Sequence, residues 1–157
     1  MKIIRSKDKY TRDLARHTPN KLFIFIDNTD RDSGKGIISS DSWYSRKYGE
    51  GKHYPTMTSA LIRGLDNAYP ITTQRYYNKQ YKGNTGRWND SDLDQFKEVI
   101  DDDFKEIIKA IKSGKYEDIV FPPGGIFNSQ IANISKERTP KLFDYLMDKC
   151  QSLYDFC

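Results

Sequence analysis

The sequence predicts an α/β protein, a three-layer α/β/α domain built around a mixed, largely parallel sheet. Three observations carry this prediction. Short apolar runs rich in β-branched and aromatic residues are typical of buried strands, longer runs carry helical periodicity, and the two kinds alternate along the chain. One domain is expected over residues 1–157, with an irregular insertion at about 29–55 that is rich in Gly, Ser, Asp, Lys and Tyr.

The predicted strands are the three apolar runs of the chain. KLFIFID at 21–27 is apolar almost throughout, AYPITT at 68–73 follows it, and the segment 117–121 ends in Ile-Val-Phe. Pro122 and Pro123 stop the last run, because neither has an N–H to donate to a sheet ladder. In a parallel sheet the ends of these strands lie along one edge, which is where open α/β sheets bind ligands.

The predicted helices are the segments with apolar residues at helical spacing, namely 6–16 with Ser6 as its cap, 56–65, 91–113 and 138–154. The longest, 91–113, has Asp90 or Ser91 in position to cap its start and Gly114 in position to end it. The acidic run 101–103 is expected on the solvent face of this helix. In the final helix Pro140 lies in the first turn, where its missing N–H is tolerated.

Composition bounds the class of protein. Apolar residues make up 36% and charged residues 31% of the chain, and aromatic residues at 13% supply area for a core despite a mean hydropathy of −0.82. No apolar stretch is long enough to cross a bilayer, and the basic start lacks the apolar region of a secretory signal, so a cytoplasmic location is expected. The formal charge of +4 is too weak to imply nucleic-acid binding unless the charges cluster.

Metal and nucleophile motifs are missing from the sequence. Cys150 and Cys157 give neither a disulfide framework nor a metal-ligand cluster, and His17 and His53 have no partner at ligand spacing. No GxSxG, HExxH, Walker P-loop or CxxC pattern occurs. We therefore expect no metal and no cofactor, and we assign no catalytic residue.

A glycine pair directly after the third strand is the first candidate for a binding loop. Successive backbone N–H groups in a glycine-rich turn form a concave nest that holds phosphate oxygens. The predicted ligand-binding residues of this loop are Gly124, Gly125, Ile126, Phe127, Asn128 and Ser129, the last with a hydroxyl donor. The alternative is that the two glycines only turn the chain.

An Asp-Asn pair at the end of the first predicted strand is the second candidate. Asp27 and Asn28 carry groups that hydrogen-bond ribose hydroxyls or a ligand amide. The loop that follows contains Gly34, Lys35 and Gly36, of which Lys35 could supply charge for a phosphate. The alternative is structural, because Asp and Asn often end strands by bonding their own backbone.

The two candidate loops carry a resemblance to a known family. The pattern of a strand followed by P-P-G-G-I-F-N and a helix resembles the phosphate-gripping loop of macro domains, with Gly125, Ile126 and Phe127 at three matching positions and Asn128 in place of a final glycine. KLFIFIDN is similar to the strand of that family that ends in an asparagine beside the ribose. The resemblance covers mainly residues 21–36 and 117–150.

A wider pattern, FIDNTDR…SWY…YPTMTSALIRGLDNAYPITTQR, is similar to small uncharacterised proteins of T4-like tailed phages. The macro resemblance implies binding of ADP-ribose or a related nucleotide derivative, sometimes with hydrolysis of an ADP-ribosyl bond, here in the cytoplasm of a phage-infected bacterium. Hydrolytic macro domains carry a run of glycines after the ribose asparagine, whereas this chain has residues 29–36 (TDRDSGKG) there. Binding is therefore expected more than turnover.

A protein-binding function is the alternative. Two aromatic-rich loops, 41–55 and 74–89, are expected to expose Trp43, Tyr44, Tyr76, Tyr77 and Trp88. Tyr and Trp are the residues that interfaces favour. On this interpretation the protein keeps the fold without its ligand and binds a host protein.

Overall fold

A computed structural model describes residues 1–28, 59–74, 88–126 and 134–157. The strands are β1 (Lys2–Arg5), β2 (Lys21–Asn28), β3 (Ala68–Gln74) and β4 (Asp118–Phe121), and the helices are α1 (Arg12–Arg16), α2 (Leu93–Lys112) and α3 (Pro140–Ser152). Three short 3-10 turns cover Ser59–Ile62, Asp90–Asp92 and Leu153–Phe156. The insertion expected at about 29–55 lies outside the described residues.

The four strands form one sheet in the order β1-β4-β2-β3. All three pairings are parallel, so the α/β class is confirmed, whereas the mixed sheet that was expected is purely parallel among the described strands. The sequence predicted β2, β3 and β4 but not β1. Its four residues, Lys-Ile-Ile-Arg, carry a cation at each end and resemble the basic start of a chain more than a buried strand.

The middle of the sheet is buried on both faces because β2 is the central strand. Leu22, Ile24 and Phe25 have no exposed surface, and Phe23 is nearly as buried. Successive side chains of a strand point to opposite faces, so both faces of β2 must be covered. Continuous apolar runs of this kind are typical of parallel strands, which explains why the sequence located β2 so clearly.

The first helix is shorter than the predicted 6–16, and Ser6 does not cap it. The Ser6 N–H instead continues the β1 ladder by donating to the Phe121 carbonyl at 2.9 Å. The helix begins only after Thr11, whose hydroxyl accepts from the Leu14 N–H at 3.0 Å. The prediction was wrong about the start because the chain is still completing the sheet at Ser6.

The described part of the predicted helix 56–65 forms only a 3-10 turn, Ser59–Ile62. The carbonyls of Leu61 and Arg63 accept hydrogen bonds from the Arg12 guanidinium at 3.1 and 2.9 Å. Gly64 then turns the chain with a φ of 91°. Tertiary hydrogen bonds from α1 thus replace the helical pattern that the apolar spacing suggested.

Helix α2 confirms the predicted apolar stripe, with Phe96, Ile100, Phe104, Ile107 and Ile111 all buried. The acidic run at its centre was only partly predicted. Asp101 and Asp102 are exposed, but Asp103 is 1% exposed and belongs to the core side of the helix. Its carboxylate accepts from the Thr72 N–H at 2.8 Å and from the Thr72 hydroxyl at 2.6 Å.

The caps of the two long helices are linked to each other. Asp90, expected to cap α2, lies in the preceding 3-10 turn, and its carboxylate accepts from the N–H groups of Lys141 and Leu142 in the first turn of α3, both at 3.4 Å. Gly114 ends α2 as predicted, with a φ of 75°. No helix within the described segments has the length and apolar character needed to cross a membrane.

Candidate functional site

The ends of the four strands meet at one edge of the sheet, but they are staggered. The pairing of β2 with β4 stops at Phe23 and Val120, so the last residues of β2 extend past the end of β4. The Tyr10 hydroxyl lies where the two strands separate, 2.9 Å from the Ile24 carbonyl and 3.0 Å from the Val120 carbonyl. Burial raises the pKa of Tyr10, which therefore stays a neutral donor at this point.

The proline-glycine segment after β4 is a tight turn that ends in a left-handed glycine. The Gly125 N–H donates to the Pro122 carbonyl at 2.8 Å, which closes a β-turn with Pro123 and Gly124 in the middle. Gly125 has a φ of +67°, while the φ of Gly124 is not in the left-handed region. A right-handed residue followed by a left-handed one builds an N–H nest, and Gly125 supplies the left-handed conformation.

Arg5 supplies the charge beside this turn, and the sequence did not identify it. Arg5 ends β1 in register with Phe121, so their side chains leave the same face of the sheet. The Arg5 Nη2 atom lies 3.6 Å from the position that a Cβ on Gly125 would take. The only sequence signal was the basic start of the chain, and nothing in it showed that residue 5 would lie next to residue 125.

A cleft of ≈ 520 Å³ opens at this place. Its walls are the end of β1, the turn after β4 and the C-terminal part of the chain: Ile3, Ile4, Arg5, Phe121, Gly124, Gly125, Ile126, Met147, Cys150, Gln151 and Tyr154. Tyr154 is 56% exposed, which leaves its ring open to a ligand. Burial raises the pKa of the Cys150 thiol to about 12, so this group is a neutral part of the wall and not a nucleophile.

Asp27 does not line the cleft. It is 2% exposed and its carboxylate accepts a hydrogen bond from Arg63, whose side chain is fully buried. The strand registers place Arg5 on the same face as Leu22, whereas Asp27, five residues further along β2, lies on the opposite face. This geometry favours the structural alternative for Asp27, a buried ion pair that fixes the end of β2.

The structure brings together only part of the predicted site. Gly124, Gly125 and Ile126 lie in the cleft with Arg5, and Asn28 is the last residue of β2. The other predicted residues, Gly34, Lys35, Gly36, Phe127, Asn128 and Ser129, lie outside the described residues. No cluster of His, Cys, Asp or Glu suited to a metal ion occurs among the residues that the structure describes.

The expectation of an exposed Trp88 was wrong. Trp88 has no exposed surface, and its ring packs edge-on against Phe96 of α2 with the ring centroids 5.4 Å apart. It precedes the turn that leads into α2 and fills the core beside that helix. Trp43, Tyr44, Tyr76 and Tyr77, expected to be exposed with it, lie outside the described part of the chain.

A larger cavity, ≈ 750 Å³, lies at the opposite, amino end of the sheet. Its walls include Tyr69 and Tyr116, whose hydroxyl groups hydrogen-bond each other, and burial raises the pKa of both. Acidic and basic side chains, among them Glu106 and Lys109, alternate around it and define no single ligand chemistry. Ligands of open α/β sheets bind at the carboxyl edge, so the smaller cleft is the better candidate.

The fold and the cleft define an α/β protein with a parallel sheet whose carboxyl edge carries a candidate anion-binding site. Residues 5–149 match the model described as "Family of unknown function (DUF7831)", and the chain therefore belongs to that family. No curated protein and no solved structure matches the chain.

Proposed function

We propose that this protein is a macro-like module that binds ADP-ribose or a related nucleotide derivative in the cytoplasm of a phage-infected bacterium. The observation that carries the proposal is the Arg5 guanidinium, 3.6 Å from the Cβ position of Gly125. A permanent cation beside a glycine nest, at the carboxyl edge of a parallel sheet, suits the phosphates of a nucleotide.

The cleft offers separate surfaces to the parts of such a ligand. The phosphates are assigned to Arg5 and to the backbone N–H groups of Gly124 and Ile126, and the assignment of Ser129 rests on the sequence. A ring or sugar face is assigned to the apolar wall that includes Met147 and the exposed Tyr154 ring. The ribose assignment to Asn28 follows the family resemblance.

The proposed three-layer, macro-like arrangement is supported by the path of the chain. From β1 to β2 and from β2 to β3 the chain moves one way across the sheet, and from β3 to β4 it moves back. Parallel crossovers are right-handed in almost all proteins, so connections in opposite directions cover opposite faces. The connections that contain α1 and α2 are therefore assigned to different layers.

Binding is proposed without turnover. None of the side chains described in the cleft is a carboxylate or an imidazole, so the described wall carries no general base, and the Cys150 thiol is neutral. The alternative, binding of a host protein through the aromatic-rich loops, gains no support from the described residues, because Trp88 is buried.

Calorimetric titration with ADP-ribose, ADP, NAD and inorganic phosphate tests the proposal. We expect ADP-ribose or one of its relatives to bind, and Arg5→Gln to weaken that binding by about 10- to 100-fold, since a hydrogen bond to a charged group contributes about 1.5–3 kcal/mol. Lys7→Gln is the matched control, an exposed cation outside the cleft. Failure of every ligand to bind the folded wild type, or equal binding by Arg5→Gln, would refute the assignment.

A further inference from the structure

The two edge strands of the sheet, β1 and β3, differ in what their outer backbone groups contact. At the β3 edge, the Thr72 N–H donates to the Asp103 carboxylate of helix α2. At the β1 edge, no strand or helix among the described residues pairs with the outer side of Lys2–Arg5. An edge strand with open donors and acceptors is a template for another strand.

The direction of each β1 backbone group follows from one hydrogen bond. The Ser6 N–H donates inward to the Phe121 carbonyl at 2.9 Å, and backbone groups alternate in direction along a strand. The backbone N–H and C=O groups of Lys2 and Ile4 therefore point toward β4, and those of Ile3 and Arg5 point outward. In the described part of the chain, no hydrogen bond satisfies the outward N–H and C=O groups of these two residues.

The segment that contains β1 carries a local excess of positive charge. Residues 1–9 contain four cationic side chains, Lys2, Arg5, Lys7 and Lys9, and one acidic side chain, Asp8, which gives 4 − 1 = +3 out of a formal net charge of +4 for the whole chain. All five of these side chains are exposed.

Pairing of β1 with a second copy of the same strand is disfavoured by these cations. Two such edges would bring together two segments that each carry a net charge of +3 over residues 1–9, and like charges repel. The phosphates of a nucleic-acid strand would satisfy the cations, but they cannot donate to the outward C=O groups because phosphates only accept hydrogen bonds. An acidic polypeptide satisfies both.

We infer that β1 is a docking edge for an extended acidic segment of a partner protein, which pairs with the outward groups of Ile3 and Arg5 and adds a fifth strand to the sheet. Main-chain hydrogen bonds to the edge give such contacts affinity, and alternate side chains give specificity. Acidic side chains of the added strand that share the face of Arg5 would lie near its guanidinium. The inference stands independently of the nucleotide proposal, although both use Arg5.

The first test uses a fluorescein-labelled peptide of alternating Glu and Val, with an alternating Lys and Val peptide as its control. Fluorescence anisotropy should show binding of the acidic peptide only, weakening as salt is raised. Amide exchange followed by NMR should show the Ile3 and Arg5 amides exchanging fast in the free protein and slowly in the complex. The amide of Ile4, which faces β4, should be protected in both.

The second test removes a single outward donor. Ile3→Pro deletes the outward N–H and leaves the inward ladder intact, and proline is accepted on edge strands. Ile3→Ala is the matched control, because it removes side-chain volume but keeps the N–H. We expect Ile3→Pro to bind the acidic peptide at least tenfold more weakly than Ile3→Ala, with both variants folded by circular dichroism.

Three outcomes would overturn the inference. One is equal binding of the acidic peptide by Ile3→Pro and Ile3→Ala, and another is no anisotropy change with the wild type at millimolar protein. The third is tighter binding of a labelled oligothymidine than of the acidic peptide, which would make the edge a phosphate-binding patch. If Ile3→Pro does not fold, Arg5→Glu replaces it, with at least tenfold weaker peptide binding expected and unchanged binding again contradicting the inference.

Discussion

Gly125 and Gly114 have the same kind of backbone but different surroundings. Their φ values are +67° and +75°, in the left-handed region that L side chains rarely adopt. A Cβ at Gly114 would have nothing within 4 Å, whereas a Cβ at Gly125 would lie 3.6 Å from Arg5. Gly114 lies at the end of α2 and away from the cleft. A substitution at Gly114 therefore strains the backbone without touching the site, and it serves as a control for the same substitution at Gly125.

Valine at either glycine should therefore destabilise the fold equally and affect binding unequally. Gly125→Val and Gly114→Val should each lower the free energy of unfolding by about 1–2 kcal/mol, the cost of a left-handed conformation for an L residue. Only Gly125→Val should also lower the affinity for ADP-ribose, because its branched side chain enters the nest. Urea unfolding and calorimetry measure the two effects, and an equal loss of affinity in both variants would remove Gly125 from the proposed site.

The Asp27–Arg63 pair should be among the most sensitive positions for stability. Both side chains are fully buried, so Asp27→Asn leaves the Arg63 charge without its carboxylate in the core. Breaking a buried pair from one side costs about 3–5 kcal/mol. Asp13→Asn is the control, since the Asp13–Arg16 pair is 4.0 Å apart and largely exposed. Its free energy of unfolding should stay within about 0.5 kcal/mol of the wild-type value. Comparable urea midpoints for the two variants would contradict the structural role of Asp27.

Residue by residue, the sequence predicted backbone roles better than side-chain partners. Gly125 and Gly114 could be predicted because a glycine after a strand or helix has few other uses. The partners Arg5, Arg63 and Asp103 could not, because each acts on a residue far away in the chain. A charged side chain looks the same in sequence whether it is solvated or paired in the core.

At the scale of elements, helix α2 closes the outer edge of β3 through one side chain. Asp103 accepts from both the N–H and the hydroxyl of Thr72, and it is buried with them. The carboxylate takes the place of a neighbouring strand at this point in the ladder. This contact also orients α2 along the sheet, above the core that its apolar stripe fills.

Removal of this carboxylate should loosen the contact between α2 and β3. Asp103→Ala leaves two buried Thr72 donors without that acceptor, and each unsatisfied group costs about 1–3 kcal/mol. Asp102→Ala, one residue away and exposed, should change stability by no more than about 0.5 kcal/mol. Thermal unfolding followed by circular dichroism checks both, and a similar melting temperature for the two variants would show that Asp103 is not needed at the edge.

The elements that were predicted correctly are those whose hydrophobic pattern is long or continuous. β2 and α2 bury apolar residues at almost every position that the pattern marks. β1 has four residues, too few for a period to be recognised, and the start of α1 is set by the Ser6 hydrogen bond to Phe121 rather than by its own pattern. In the described part of the predicted helix 56–65, contacts from elsewhere also decide the structure, since Arg12 bonds the Leu61 and Arg63 carbonyls.

At the scale of the whole molecule, the order of strands creates the site. Because the chain inserts β4 between β1 and β2, the first residues meet the turn after β4, and Arg5 reaches Gly125 across the end of the sheet. Element types can be predicted from local patterns, but the order β1-β4-β2-β3 depends on which strand edges find each other in the folded chain. The cleft and the free β1 edge both follow from this order.

The two proposed ligands should compete, because both draw on Arg5 from adjacent sides of β1. A nucleotide phosphate would use the Arg5 guanidinium, and an added acidic strand would pair with the Arg5 backbone while its carboxylates approach the same cation. We expect saturating ADP-ribose to weaken binding of the acidic peptide at least fivefold, and by linkage the peptide must weaken ADP-ribose by the same factor. Calorimetric titration of each ligand in the presence of the other measures both factors. The Gly125→Val variant should bind ADP-ribose weakly and still bind the peptide, so ADP-ribose should no longer compete with the peptide. Unchanged peptide affinity in wild type saturated with ADP-ribose would show that the two ligands do not share Arg5.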